Sequence, residues 1–532
     1  MLKERGEKVV LEDFIDANDD SVPSEVKTTL CIVGAGAAGI TIARRLAGIK
    51  DVILIESGDF EMDGDTQSLY SGSNVGLPYF DLLQCRLRYF GGTTNHWGGY
   101  CRANDPIDYE GRDELGLPEW PVSKDEIEYF TFKAAEELGI SSDFVSAESV
   151  LSLNKIPSEE LLENVSSDFY TKVFQITNKV RFAKIYRSEL REQINLKVYL
   201  NLNTVHIQLA PDGSKVTSIL CKTLKGKTVT VKAQEFIIGS HAIENARLLL
   251  NSNDVHKQGI GNQYDHVGRY FMEHVHIYAS KLIPSDTFPR LYGKDVLGQL
   301  NLNANLSFTD EYLRKEGLLQ YYCRFNPVYA TEQVEASLSG VKSRIMEPFS
   351  NKLFDDIKTV VNNFGDSVDL VKSHFGLGQP TPKYYSLEHR IEQAPNADSR
   401  VVISKEKDAL GVPKADLQWE LNEHDYRTFK DGHEKVVNEL SSMGLGRIVV
   451  EDITRELVDS RIKGHYHHIG TTRMSKNPAD GVVDPDCKVH GISNLYIAGS
   501  SIFPTAGYSG PTMMIVAFSI RLAEHIKNKL KS

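Results

Sequence analysis

The stretch "TTLCIVGAGAAGITIARRLAGIKDVILIES", residues 28–57, decides the fold of this chain. It begins with a short apolar strand, turns through glycines into a helix, and ends with a second apolar strand. Gly34, Gly36 and Gly39 form the pattern G-x-G-x-x-G at the turn. Glu56, which ends the second strand, lies 20 positions after Gly36. This order of strand, glycine turn, helix, strand and acid is typical of a Rossmann-like dinucleotide-binding unit and predicts an α/β protein.

The residues of this unit predict which dinucleotide it binds. The glycines let the backbone approach a pyrophosphate at the start of the helix, where Ala37 and Ala38 follow the turn. Glu56 would accept hydrogen bonds from a ribose diol, and Ser57 follows it. Residues 57–59, Ser-Gly-Asp, offer no cation for a 2′-phosphate. We therefore expect a dinucleotide without that phosphate.

Distant segments repeat the pattern of strand, turn and helix. Residues 230–252 and 493–526 both show it, and the alternating residues 196–233 predict a β-meander with a turn at Asp212-Gly213. Residues 265–450 contain alternating runs such as "SRVVISKE" (399–406), which predict an antiparallel sheet, and residues 336–376 are predicted to be helical. The chain should therefore combine a discontinuous Rossmann-like domain with an α+β substrate domain.

The expected domain boundaries follow from these segments. The nucleotide domain is predicted to comprise residues 1–115, 185–264 and 451–532. Residues 116–184 would form the first part of a substrate or cap region, and residues 265–450 the substrate-binding domain.

Composition excludes several classes of partner. The net charge is −12, from 60 basic and 72 acidic residues, which disfavours nucleic acid. The six cysteines form no CxxC pair, so neither a disulfide scaffold nor a metal site is expected. The apolar run at 513–520 is far shorter than the roughly 20 residues of a membrane-spanning helix. Because the first twenty residues are charged and lack an apolar core, we expect a cytoplasmic protein. The sequence leaves open whether the protein is a homo-oligomer.

A second glycine cluster surrounds one histidine in "GGTTNHWGG", residues 91–99. Such a cluster indicates unusual backbone conformations or backbone that lies against a flat group. The candidate cofactor contacts in this stretch are Gly91, Gly92, Thr94, Asn95, His96 and Gly98.

These segments, together with "EQAPNADSRV" (392–401), "HHIGTTRMS" (467–475) and "AGSSIFPT" (498–505), resemble the glucose-methanol-choline (GMC) oxidoreductases. The resemblance extends from about residue 28 to 528 and is closest to the sugar and polyol dehydrogenases and pyranose oxidases. It implies bound FAD, which takes a hydride at its N5 from an alcohol. It also implies a small sugar or alcohol substrate and an electron acceptor that the sequence does not identify.

The resemblance assigns roles to individual residues. His96 matches the histidine that pyranose oxidases bond covalently to the flavin 8α-methyl, although noncovalent FAD remains the alternative. His467 matches the catalytic base of the family, and its neighbour His468 is expected to be structural. The remaining candidate contacts of the flavin are Gly499 and Ser500, together with Pro511 and Thr512 at the start of the last helix.

One position departs from the family. The residue before Pro511 is usually an asparagine or histidine that holds the substrate hydroxyl, but here it is Gly510. Tyr508, Ser509 or a water would have to replace it, or the glycine makes room for a bulkier substrate. The departure leaves open a lyase in which the flavin is structural and the histidine acts as acid and base.

Overall fold

The computed structural model describes residues 14–142, 147–155, 157–162, 165–286, 288–293, 301–329 and 382–531. Residues 336–376, for which helices are predicted, lie outside these ranges.

The strands are β1 (Phe14–Asp16), β2 (Glu25–Lys27), β3 (Leu30–Val33), β4 (Val52–Ile55), β5 (Tyr100–Cys101), β6 (Phe169–Ile176), β7 (Leu196–Leu200), β8 (Asn203–Leu209), β9 (Val216–Lys222), β10 (Thr228–Lys232), β11 (Glu235–Ile238), β12 (His274–Pro284), β13 (Asn301–Phe308), β14 (Tyr321–Val328), β15 (Tyr384–Glu392), β16 (Arg400–Lys407), β17 (Pro413–Gln418), β18 (Gly446–Val449) and β19 (Leu495–Ile497).

The α-helices, numbered along the described residues, are α1 (Ala37–Leu46), α2 (Gly64–Ser68), α3 (Lys124–Leu138), α4 (Ala147–Asn154), α5 (Phe182–Arg191), α6 (Ala242–Asn251), α7 (Arg290–Gly293), α8 (Asp310–Glu316), α9 (Glu423–Ser442), α10 (Arg455–Arg461) and α11 (Thr512–Lys529). Within the described ranges, none of them is both long and apolar enough to cross a bilayer.

A six-stranded parallel sheet in the order β1-β7-β4-β3-β11-β19 forms the first layer. Strands β3, β4 and β11 are buried along their whole length, as expected for a parallel sheet with both faces covered. Helix α1 packs against α11 and β3. Gly39 permits the close approach of α1 to the preceding turn, because a Cβ there would lie only 1.9 Å from the carbonyl oxygen of Gly34. The sheet and its helices confirm the predicted Rossmann-like fold, assembled from segments far apart in sequence.

The second layer is a seven-stranded sheet in the order β18-β12-β15-β14-β13-β6-β5, antiparallel throughout. Strands β8, β9 and β10 form the expected meander, with β2 added in parallel at its edge. The run "SRVVISKE" lies in strand β16, but among the described strands it pairs with β17 alone, in a separate two-stranded ribbon. The domain boundaries themselves stay a prediction.

One face of the seven-stranded sheet is unusually polar for buried strands. Polar residues alternate with mostly apolar ones along β12, β13, β14 and β15, as in Asn303-Ala304-Asn305 and His274-Val275-His276. Because side chains alternate between the two faces of a strand, the polar residues share one face and the apolar ones pack beneath the other. The polar face lies toward the carboxyl ends of the parallel strands, where it closes a cavity.

Candidate active site

A cavity of about 590 Å³ lies between the two sheets and brings most of the predicted residues together. The predicted residues that line it are Gly34, Gly36, Ala37, Ala38, Glu56, Ser57, Gly92, Thr94, His96, Gly98, His467, Gly499, Ser500, Tyr508, Gly510, Pro511 and Thr512. This position, at the carboxyl ends of parallel strands, is where open α/β sheets bind their ligands.

Four predicted residues lie behind the cavity wall. Gly39 packs helix α1 on β3, and Gly91 adopts a left-handed φ of +93° while its N–H donates to Ala35 O over 2.8 Å. The Asn95 amide donates to Phe90 O over 2.9 Å and so holds the loop. Ser509 is buried, and its hydroxyl oxygen has no hydrogen-bond partner among the described residues. These residues shape the cavity rather than line it.

The start of helix α1 and the Glu56 carboxylate fit a dinucleotide. Helix α1 begins without a side-chain cap, so its first N–H groups are available to an anion in the cavity. A Cβ on Gly36 would meet no described atom within 4 Å, which leaves the approach to this helix end open. Glu56 is buried, and its two oxygens accept from the N–H groups of Ala35 (2.9 Å) and Gly58 (3.1 Å). Each carboxylate oxygen keeps a second lone pair for a ribose hydroxyl.

A second uncapped helix end lines the same cavity. Helix α11 begins at Thr512 after Pro511, and no side chain caps it. Gly499 lies nearby with a φ of +102°, a conformation that favours glycine. Two uncapped N-termini in one cavity give it two positions that favour negative charge.

Buried arginines beside this region were not predicted from the sequence. Arg86 and Arg88 line the cavity, and both pair with Glu244, at 2.9 and 3.3 Å. Burial by itself raises the pKa of Glu244, but Arg247, Arg86 and Arg88 outweigh it and lower that pKa to about 2. Glu244 therefore neutralises part of the positive charge, and the glycine patterns of the sequence gave no signal for this cluster.

The tautomer of His467 follows from its contact with His274. His274 Nε2 lies 3.1 Å from the carbonyl oxygen of Ala506, which can only accept, so Nε2 carries the proton. The other ring nitrogen of neutral His274, Nδ1, is then a bare acceptor. It lies 2.8 Å from His467 Nδ1, so His467 donates through Nδ1–H. Nε2 of His467 is left with a lone pair.

The Nε2 lone pair of His467 lies next to Gly510, the position where the family usually has an asparagine or histidine. A Cβ on Gly510 would lie 3.7 Å from His467 Nε2 and 3.8 Å from the carbonyl oxygen of Tyr100. Burial lowers the pKa of His467 well below its usual value, and the charges of His274 and Arg390 act in the same direction. His467 is therefore neutral at neutral pH and presents a basic nitrogen to the cavity.

His468 has no ring nitrogen to spare. Its Nε2 lies 2.7 Å from the hydroxyl of Tyr79, and its Nδ1 lies 3.0 Å from Nε2 of His241. The Tyr79 hydroxyl in turn donates to Glu273, whose second oxygen accepts from the N–H of His467 over 3.0 Å. Burial raises the pKa of Glu273 to about 7, against the hydrogen bonds that it accepts. His468 thus belongs to a buried chain that supports the loop of His467.

The hydroxyl of Tyr508 is already bonded within the protein. It accepts a hydrogen bond from Nε of Arg102, a buried residue behind the cavity wall, and the Lys172 ammonium lies 3.4 Å from the centre of the Tyr508 ring. The expected replacement of the missing side chain by Tyr508 or Ser509 gains no support from these contacts.

The polar face of the antiparallel sheet supplies the wall opposite the uncapped helices. Its lining residues from β13, β14 and β15 are Asn303, Asn305, Tyr322, Arg324 and Arg390. Sequence reasoning missed all of them. The available signal was the regular alternation of polar residues within strands that are otherwise apolar.

A group of possible metal ligands adjoins this wall. One atom each of His276, Glu388 and His465 lies within 4.8 Å of the others. Arg390 Nε already donates to Glu388 Oε1 over 2.5 Å, and burial lowers the pKa of His276 to about 4. The guanidinium thus occupies the carboxylate oxygen nearest the histidines. The expectation of no metal stays a prediction.

His96 is exposed at the cavity, where its Nε2 lies 3.2 Å from the hydroxyl of Tyr89. A hydrogen bond to a tyrosine hydroxyl leaves the imidazole accessible from its other edge. The position is compatible with the tether that the resemblance implies.

Comparisons with known proteins show which sequences and folds this chain resembles. Residues 395–519, which include His467 and Gly510, match the family model described as GMC oxidoreductase. The chain is 23% identical to the fructose dehydrogenase large subunit of Gluconobacter japonicus, over 83% of this chain and 80% of that one. It is 26% identical to paromamine 6'-oxidase of Streptomyces fradiae, over 60% of this chain and 50% of that one. A structure of formate oxidase from Aspergillus oryzae RIB40 superimposes with a TM-score of 0.58 and 16% identity over 96% of this chain and 100% of that one, a likeness of fold alone.

Proposed function

Because the chain belongs to the GMC oxidoreductases, a family of FAD-dependent enzymes that oxidise CH–OH groups, we propose that it oxidises a secondary hydroxyl of a sugar, glycoside or cyclitol. His467 would act as general base through Nε2. The observation that carries this proposal is the fixed tautomer of His467, which leaves a neutral, lone-pair-bearing nitrogen at the cavity.

The residues around the cavity fit FAD. The open helix end at Gly36 and the carboxylate of Glu56 would hold its pyrophosphate and ribose, and the start of α11 at Thr512 would lie near the flavin. When bound, FAD accepts the hydrogen and electron pair that leave the alcohol carbon. We further propose that His96 carries a covalent bond to it, since the imidazole is exposed at the cavity.

The protein side of the reaction is a proton transfer. The substrate hydroxyl would donate its proton to Nε2 of His467, which is free because Nδ1–H is held by His274. The same bond stabilises the resulting imidazolium, since His274 Nδ1 accepts from its other N–H. The backbone bond from His467 to Glu273 fixes the loop that presents the ring.

The substrate class rests on two observations. Fructose dehydrogenase and paromamine 6'-oxidase act, by their names, on sugars or glycosides. The wall that carries Asn303 and Asn305 offers amide groups, which suit a ligand with several hydroxyls. An electron acceptor is then required to reoxidise the cofactor.

The test is anaerobic reduction of the flavin in the purified protein. Neutral sugars, glycosides and cyclitols are mixed with the protein one at a time, and bleaching of the flavin absorbance is followed. We expect at least one member of these classes to bleach it. Bleaching by simple primary alcohols alone would contradict the proposed substrate class, and cleavage of a substrate without bleaching would instead favour the lyase.

A further inference from the structure

Tyr466, the residue before the proposed base, has an unusual backbone conformation. Its φ is +61°, a left-handed value that is rare for bulky residues. The N–H groups of His465 and His467 both donate to one oxygen of Glu273, over 3.1 and 3.0 Å, so the backbone is held on either side of Tyr466. Residues in strained conformations of this kind concentrate at functional sites.

The side chain of Tyr466 is exposed at the cavity. Tyr466 lines the same cavity as His467, and 45% of its surface is exposed. An exposed aromatic residue by itself needs no explanation, but this one combines exposure with a strained backbone beside the base. The fold therefore keeps an aromatic ring at the edge of the cavity at a cost in conformational energy.

The ring of Tyr466 is supported by other aromatic rings. Phe80 packs against it, with ring centroids 4.2 Å apart and planes tilted by 34°. Tyr79 packs edge-on against Phe80 at 5.3 Å and against Trp419 at 5.0 Å, so the support reaches into the core. Because Phe80 covers one face of the Tyr466 ring, the exposed area belongs mainly to the other face.

A side-chain amide lies near this ring. Gln84 is exposed and lines the cavity, and it follows Phe80 by four positions. The N–H groups of Gln84 and Cys85 donate to the carbonyl oxygen of Asp81, over 2.9 and 3.1 Å, and this turn keeps Gln84 close to Phe80. The Gln84 amide makes no hydrogen bond to any residue that the structure describes. Its oxygen and its two N–H donors are therefore available to ligand hydroxyls.

We infer that Tyr466 and Gln84 form a subsite for a second sugar ring, so that the substrate is a glycoside in which the oxidised ring is linked to another pyranose. The inference rests on the proposed function, because it concerns the substrate of the same cavity. Tyr466 and His467 are consecutive, with Cα atoms about 3.8 Å apart, so two linked rings can contact both side chains. The C–H groups on one face of a pyranose suit the negative face of an aromatic ring, and its hydroxyls suit the amide of Gln84.

The test compares ligands with and without the second ring. Binding of methyl α-D-glucopyranoside and methyl β-D-glucopyranoside is measured by calorimetry beside that of trehalose, maltose, cellobiose and gentiobiose. The flavin of the FAD-loaded protein is reduced chemically beforehand under anaerobic conditions, so that the ligands bind without being oxidised. We expect at least one disaccharide to bind at least tenfold more tightly than the methyl glucoside of the same anomeric configuration. If none of the four does so, the inference is overturned.

Variants assign the preference to the two side chains. Tyr466→Gly removes the ring and suits the positive φ, so it should fold and lose most of the preference for the disaccharide. Tyr466→Phe keeps the ring and should keep the preference, whereas Gln84→Ala should lose part of it. Tyr264→Gly, which removes a 54% exposed tyrosine outside the cavity lining, should leave the preference unchanged. Full preference in Tyr466→Gly would overturn the assignment.

A further measurement separates the second sugar ring from a planar electron acceptor, which also suits an aromatic face. Reoxidation of the reduced flavin by 1,4-benzoquinone is followed in the wild type and in Tyr466→Gly. Unchanged reoxidation with a lost disaccharide preference supports the inference. Reoxidation at least tenfold slower with an intact preference would assign the ring to the acceptor and overturn it. If no ligand bleaches the oxidised flavin, the proposed oxidation fails, but calorimetry on the reduced protein still decides whether a second ring binds.

Discussion

His274 offers the sharpest perturbation of the proposed base, because it acts on His467 through a single contact. Its Nδ1 accepts the Nδ1–H of His467 over 2.8 Å and thereby keeps the lone pair of His467 on Nε2. His274→Ala removes that acceptor. Neutral His467 then populates both tautomers, and only one of them presents a base to the substrate.

The size of the effect follows from the bond that is lost. A neutral hydrogen bond contributes about 0.5–1.5 kcal/mol net, and loss of this bias slows proton abstraction by about 2- to 13-fold. A larger loss would require His274 to do more than orient its neighbour. His274→Asn restores an acceptor, Oδ1, near the position of Nδ1, and should recover most of the rate.

The assay is single-turnover reduction of the flavin under anaerobic conditions, with the best substrate from the screen. Thermal unfolding of each variant shows that it is folded, and flavin content shows that it is loaded. Slow reduction in His274→Ala together with recovery in His274→Asn supports the tautomer argument. Equal rates in all three proteins, or an Asn variant as slow as the Ala variant, would refute it.

Three other predictions follow from single positions. Burial lowers the pKa of His389 to about 3, so below pH 6.5 the unfolded chain binds a proton that the folded one cannot, and stability falls with acid. When the pH falls from 7.5 to 5.5, the unfolding free energy of His389→Gln should therefore decrease by about 1.4 kcal/mol less than that of the wild type. His424→Gln serves as the control. Identical pH slopes of the unfolding free energy in His389→Gln and the wild type would contradict this prediction. Gly510→Asn should fold, because a Cβ at this position lies in ordinary contact, 3.7 Å from His467 Nε2. The added amide would fill space that the substrate needs, so flavin reduction should slow at least tenfold. Faster turnover would show that the site lacks a useful side chain. His96→Ala should release all flavin on acid precipitation, whereas a wild-type chain whose denatured mass equals that of the bare polypeptide would leave only noncovalent FAD.

The cofactor half of the cavity was predictable because its signals are local. Gly34, Gly36 and Glu56 lie within one βαβ unit, where spacing alone places the turn, the helix end and the acid. His467 and Gly510 followed from motifs that resemble a family, and Gly510 does lie beside the His467 ring in the cavity.

The substrate half was not predictable because it depends on sheet register. Asn305, Arg324 and Arg390 meet only because β13, β14 and β15 are neighbours, although they are far apart along the chain. The bond from Arg102 to Tyr508 joins residues 406 positions apart, and nothing local in the sequence indicates it. Alternating polar residues in buried strands were the usable signal, and they point to a polar ligand face rather than to any one partner.

The central claim is that Nε2 of His467 takes the proton of the substrate hydroxyl. The most direct measurement compares the single-turnover rate of flavin reduction in the wild type, His467→Gln and His468→Gln with the same substrate. We expect a loss of about 10²- to 10⁴-fold at His467, the usual contribution of a positioned base. At His468 we expect less than tenfold, because both of its ring nitrogens are already bonded to Tyr79 and His241. Equal losses at the two positions, or a larger loss at His468, would contradict the account.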